Sequence, residues 1–153
     1  MIASKCSKTL VAAGFVLAAF GAHAAGGVTV TVTANVVNGG LCKFSTASPV
    51  VRIANSGTNI DPSLATTATG NANITYRCST GTTPGFSMPA TATITNGASS
   101  MVATISSTNG GPGTGMGAAQ AKLLNVVGQI ARAGFENAAV GAYTGTMVVS
   151  VSP

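Results

Sequence analysis

The stretch GGVTVTVTANVVNGGLC, residues 26–42, decides how the rest of the chain is read. Valine and threonine alternate with a period of two, so Val28, Val30, Val32, Ala34 and Val36 share one face, and Thr29, Thr31, Thr33 and Asn35 the other. Successive side chains of an extended chain point to opposite faces, and β-branched residues suit a pleated backbone, so the pattern predicts a strand with one apolar side. Nothing local says which sheet that strand joins.

Upstream of it, Lys5 and Lys8 precede an apolar run from Leu10 to Phe20, and Ala22-His23-Ala24 fits a small-x-small cleavage site before Ala25. The run falls well short of the about 20 residues that a membrane-spanning helix needs. Residues 1–24 are therefore expected to be a secretory signal peptide. The mature chain, residues 25–153, has a length that suits one domain with a single core. Its charges are Lys43, Arg52, Arg77, Lys122 and Arg132 against Asp61 and Glu136, a net of 5 − 2 = +3. The five cations are scattered along the sequence, and the aromatics are only Phe44, Tyr76, Phe86, Phe135 and Tyr143. A nucleic-acid or polyanion groove wants a dense basic stripe with aromatic platforms, so neither a nucleic-acid nor a polyanion partner is expected.

Cys6 leaves with the signal, and Cys42 and Cys78 stay. In an exported chain an even count reads as a disulfide, and two cysteines allow one connectivity. Two cysteines without a mature histidine fall short of a four-ligand zinc site, so no metal is expected. The single histidine, His23, lies in the signal, and the mature chain offers only Asp61 and Glu136 as side-chain carboxylates. The usual general acid–base partners are thus nearly absent, and a Ser or Thr nucleophile would lack its activating base. NGGPGTGMG, residues 109–117, lacks the Lys-Ser/Thr ending of a phosphate-cradling loop and reads as a flexible loop. The expectation is a protein that is not an enzyme, with no cofactor and no small-molecule substrate.

Elsewhere, short β-type runs are separated by Gly, Asn, Ser, Thr and Pro clusters: residues 41–45, 50–54, 73–78, 85–88, 92–95, 101–106, 122–130 and 143–151. Residues 117–127 hold the best helical candidate, but their second half is rich in strand formers, and 122–130 reads as a strand. Residues 55–69 look like a connection between sheets. This spacing predicts an all-β sandwich. The far end, GAYTGTMVVSVSP at residues 141–153, alternates again through Met147, Val149 and Val151, so an apolar-faced strand is expected near each terminus.

The segment VVGQIARAGFENAAVGAYTGTMVVSVSP, residues 126–153, resembles the end of the spore coat protein U family, which includes the pilins of archaic chaperone-usher pili. There a pattern like V-x-G-x-I…G-x-Y-x-x-x-x-x-V-x-V closes the domain, matched here by Val126, Gly128, Ile130, Gly141, Tyr143, Val149 and Val151. The front half is similar too: an alternating segment leads into Leu41-Cys42, and Tyr76-Arg77-Cys78 looks like the second half of the family's cysteine pair. The chain departs from the family at Ala131 and at Thr144-Gly145, where members often carry Pro and Asp.

The resemblance implies an incomplete immunoglobulin-like β-sandwich, the pilin fold, whose missing strand leaves a hydrophobic groove. A periplasmic chaperone would fill that groove transiently, and in the fibre the N-terminal extension of another subunit would replace it, a form of β-strand addition. Residues 25–38 would be the donor extension, inserting Val28, Val30, Val32 and Ala34. Residues 39–153 would be the pilin domain, entered through a turn at Gly39-Gly40, with Met147, Val149 and Val151 on a strand lining the groove. The implied partners are other copies or related pilins in a filament, the chaperone and an outer-membrane usher. The implied location is a surface pilus serving adhesion or biofilm formation. Two other readings fit the same residues: a spore coat or extracellular matrix protein of the same fold, and a monomeric secreted ligand-binding sandwich. The last predicts that the N-terminal strand folds into its own domain, beside a pocket with convergent polar groups.

Overall fold

The alternation at residues 28–36 is realised as the first of nine strands among the described residues. The structure is a computed structural model that describes residues 27–36, 42–45, 48–97 and 99–153, with no side-chain description for 33–36. The expected signal peptide, the Gly39-Gly40 turn and Leu41 lie outside the described residues. The strands are β1 (Val28–Val36), β2 (Cys42–Phe44), β3 (Val50–Ile53), β4 (Ala68–Cys78), β5 (Gly85–Ser87), β6 (Thr91–Asn96), β7 (Ser99–Asn109), β8 (Lys122–Ile130) and β9 (Tyr143–Ser152). Two 3-10 turns, Ala118–Gln120 and Arg132–Gly134, complete the regular structure described.

The strands form one sheet in the order β2-β4-β8-β7-β6-β9-β1-β3, with β5 pairing β9. The sheet curls back on itself: just past β3, at one end of the path, Ala54 bridges Thr69 of β4, the strand next to the other end. Curling lets alternate residues of every strand meet in one core. Val30, Val51, Ile53, Ile74, Tyr76, Ile94, Leu124, Val126, Val149 and Val151 have no solvent exposure. The fold is therefore all-β, as the spacing of β-type runs predicts.

Two glycines on facing strands let β3 cross the sheet closely. A Cβ on Gly70 of β4 would fall on the backbone of Arg52 and Ile53, and one on Gly128 of β8 would lie 2.8 Å from Ile53 Cδ1. The glycine of the V-x-G-x-I pattern thus has a packing reason: its missing side chain is the space that Ile53 fills.

Cys42 faces Cys78 across the β2/β4 ladder and the two are joined as a disulfide. Beside it, Tyr76 donates a 2.7 Å hydrogen bond to the Gly111 carbonyl. The Phe86 ring meets Tyr76 edge-on, with centroids 5.0 Å apart. Burial holds the Tyr76 phenol above its ordinary pKa of 10.0, opposed by a backbone hydrogen bond at Gly110.

Two local expectations are corrected. β4 begins at Ala68 rather than at residue 73, because small residues of weak strand propensity are needed where β3 packs on it. Residues 122–130 form β8 as expected, and the helical candidate keeps only its 3-10 turn. The glycine-rich stretch 109–117 is no free loop. Gly113 N–H donates to Thr82 O at 2.7 Å, Gly113 O accepts from Gly81 N–H at 2.9 Å, and Gly115 N–H donates to Cys78 O at 2.9 Å.

Gly70→Ala is expected to lower stability by about 1–3 kcal/mol through forced separation of β3 and β4. Gly27→Ala, where a Cβ meets nothing within 4 Å, should shift it little. Urea unfolding of both variants checks this; equal midpoints would contradict the close crossing.

Candidate functional site: the slot filled by the N-terminal strand

β1 is held on both sides. Along its whole length it pairs parallel with β9, from Val28 opposite Tyr143 to Val36 opposite Val151. On the other side it pairs antiparallel with β3, from Val28 opposite Ile53 to Thr31 opposite Val50. Val32 N–H then donates to Pro49 O at 3.0 Å, and Tyr143 N–H donates to Gly27 O at 3.2 Å. The β1/β9 pairing is the one parallel ladder among the described strands.

Val28, Val30 and Val32 are 0–1% exposed, while Thr29 and Thr31 are half-buried on the outer side. Burying a valine is worth about 1.5–3 kcal/mol, so the three contribute about 5–9 kcal/mol as an upper estimate. A whole domain is typically stable by about 5–15 kcal/mol. Whatever occupies this slot therefore decides whether the fold holds. A slip of one residue would turn the Thr face into the core, so the register is tightly set.

The residues expected to line a groove and those expected to fill one thus lie together within a single chain. Met147, Val149 and Val151 are buried on β9 beside β1, and Ala34 stands opposite Val149, with its side chain outside the description. The sequence reading missed the second wall, β3, with Val51 and Ile53. Its own short alternation, VVRI, was the available signal.

At the start of β1 the slot opens into a cleft of about 320 Å³. Val28, Ile60, Met101, Phe135 and Tyr143 give it apolar walls, and Asp61 stands on its rim. The rim loop is ordered by Asn55, whose Nδ2 donates to Asp61 O (3.1 Å) and whose Oδ1 accepts from Asp61 N–H (2.7 Å). The Asp61 carboxylate accepts from Ser63 N–H at 2.9 Å and Ser63 Oγ at 2.6 Å. Tyr143 anchors the opposite wall by donating its hydroxyl to Ala139 O at 2.8 Å. No three of His, Cys, Asp and Glu cluster among the described residues.

Of the cations, scattered in sequence, register brings two together: Lys43 of β2 stands directly opposite Arg77 of β4, whereas Lys122 of β8 pairs Tyr76 and so belongs to the other face of the sheet. In comparisons with family models, curated proteins and solved structures, nothing matches the chain.

Val30→Ala should cost about 2–3 kcal/mol from lost burial and an unfilled cavity, and Thr31→Ala much less. Denaturant midpoints read the difference; equal costs would mean that β1 is not seated in this register.

Proposed function

We propose that the chain is a structural pilin-type subunit that polymerises by donating β1 into the slot between β9 and β3 of another copy, building a surface filament for attachment. The observation that carries this reading is the nature of the slot-filling strand. It lies at the N-terminal end of the described fold, its apolar side chains alternate, and it supplies core burial on the scale of a domain's whole stability. Donation into another copy would rebury the valine face and pair the two open strand edges while joining two molecules, which is the logic of β-strand addition.

Further support comes from Tyr143, which opens β9 and returns its hydroxyl to a backbone carbonyl four residues upstream. A tyrosine in that role is a hallmark of immunoglobulin-like sandwiches, and together with the curled sheet and single disulfide it favours the immunoglobulin-like form of the all-β fold. On this reading residues 1–24 direct export, a periplasmic chaperone occupies the slot in transit, and an usher orders assembly. Catalysis has no part in it.

A second reading is favoured by the cleft at the start of β1: with β1 in its own sheet, the chain is a closed monomer that binds a small ligand between Tyr143 and the Asp61 rim. One experiment separates the two. Material sheared from the source cells is run on an SDS gel with and without boiling and probed for this chain. Strand-linked polymer gives a ladder that survives reductant and collapses to one band on boiling, and Val30→Asp abolishes the ladder. A single monomer band in the unheated lane would reject the polymer and leave the closed monomer.

A further inference from the structure

We propose that the α-ammonium group of Ala25, created when residues 1–24 are removed, binds Asp61 at the cleft beside the start of β1 and latches that strand in its own slot. The proposal rests on cleavage before Ala25, and not on exchange of β1 between copies.

Val28, the first residue of β1, lines the cleft of about 320 Å³ together with Asp61. Gly27 O accepts from Tyr143 N–H at 3.2 Å, so the backbone is still held where it enters β1 beside the cleft. Only Ala25 and Gly26 separate that fixed point from the new chain end. Two residues reach about 7 Å, which is the scale of the cleft itself, and neither carries a side chain larger than a methyl group. The occupant that the chain can supply from its own sequence is therefore short, small and positively charged at its tip.

Charge selects the partner. The mature chain has two side-chain carboxylates, Asp61 and Glu136. Glu136 is engaged by Arg132 at 3.4 Å, and Asp61 is the carboxylate at the cleft. Asn55 grips the Asp61 backbone through both its amide N–H and its carbonyl, and Ser63 bonds the carboxylate at Oδ1 from its N–H (2.9 Å) and its hydroxyl (2.6 Å). A carboxylate offers about four acceptor sites, so these two bonds are compatible with an ammonium beside them. Ile60, Met101 and Phe135 line the same cleft and lower the local dielectric, which strengthens the attraction. Of the other charged or titratable groups close by, Tyr143 donates its hydroxyl to Ala139 O, and Arg52 stands opposite Thr29 on the exposed face of β3.

Before cleavage the nitrogen of residue 25 is an uncharged amide, so the latch comes into being on processing. It also distinguishes the two directions in which a strand can fill the slot. Only β1 running parallel to β9, with Val28 opposite Tyr143, brings its N-terminus to this end.

The exported chain, boiled and refolded at dilution with its disulfide intact, supplies the monomer whether or not the source material is polymeric, so the outcome is separate from that of the SDS gel. N-terminal sequencing identifies its first residue, and the α-amino group, methylated reductively with carbon-13, is titrated by NMR in the folded chain and in urea. Paired with Asp61, the group should titrate higher in the folded chain than in urea. Asp61→Asn should remove the difference, and Glu136→Gln should leave it. A group whose pKa is raised on folding stabilises the fold below its unfolded value, and that contribution is lost as pH rises through the folded value. The thermal midpoint should accordingly fall more steeply between about pH 7 and 9 than that of Asp61→Asn or of the chain acetylated at Ala25. The acetylated chain keeps Asp61 and its Ser63 bonds, so a difference there is not a fault in the rim loop. Equal titration in the folded chain and in urea, a folded value unmoved by Asp61→Asn, or a first residue other than Ala25 would overturn the proposal.

Discussion

Everything in this fold leans on the seating of three valines. Val28, Val30 and Val32 close the core between β9 and β3, and without them both of those strands would present bare edges and their inner side chains to water. A sheet edge is a template for pairing, and proteins ordinarily blunt it with charge, proline or a covering element. Here the edges are covered instead by a strand joined to the rest of the chain at its C-terminal end through only the segment before Cys42. The ladder hydrogen bonds and the apolar face work together. Neither alone would hold an N-terminal segment so firmly.

The remaining architecture makes that slot possible. β3 must lie close over β4 and β8 to form the second wall, and Gly70 and Gly128 provide the approach. The disulfide ties β2 to the end of β4, and the glycine-rich segment after β7 is pinned to the same end by its bonds to Thr82, Gly81 and Cys78. At the other end Tyr143 and the Asn55 loop fix the mouth of the cleft. The slot is thus braced at both ends.

Much of this was legible in the sequence, for physical reasons that differ from residue to residue. Period-two alternation exposed the strand character of β1 and β9, because burial of one face leaves a direct imprint on side-chain polarity. Two cysteines in a chain whose sequence reads as exported left one pairing to consider. What the sequence did not reveal is set by long-range geometry. The strand character of Ala68, Gly70 and Ala72 comes from a neighbour that needs small residues, not from their own propensities. The facing of Lys43 and Arg77 depends on register, which joins residues more than thirty positions apart. The cleft likewise draws its walls from loops and strands far apart along the chain.

The parallel sense of β1 against β9 carries a consequence for symmetry. β1 ends at the same pole as β9 and the disulfide, where its own domain begins. Were two copies to trade β1 strands in this sense, like poles would face each other, the arrangement of a two-fold axis, and assembly would close at a dimer. A chain of subunits without limit requires the strand to run the other way, so that unlike poles meet. The sequence between Val28 and Val32 reads the same in both directions, V-T-V-T-V. Its apolar face therefore survives reversal, and the choice between a closed pair and an endless polymer is left to the direction in which one strand is laid.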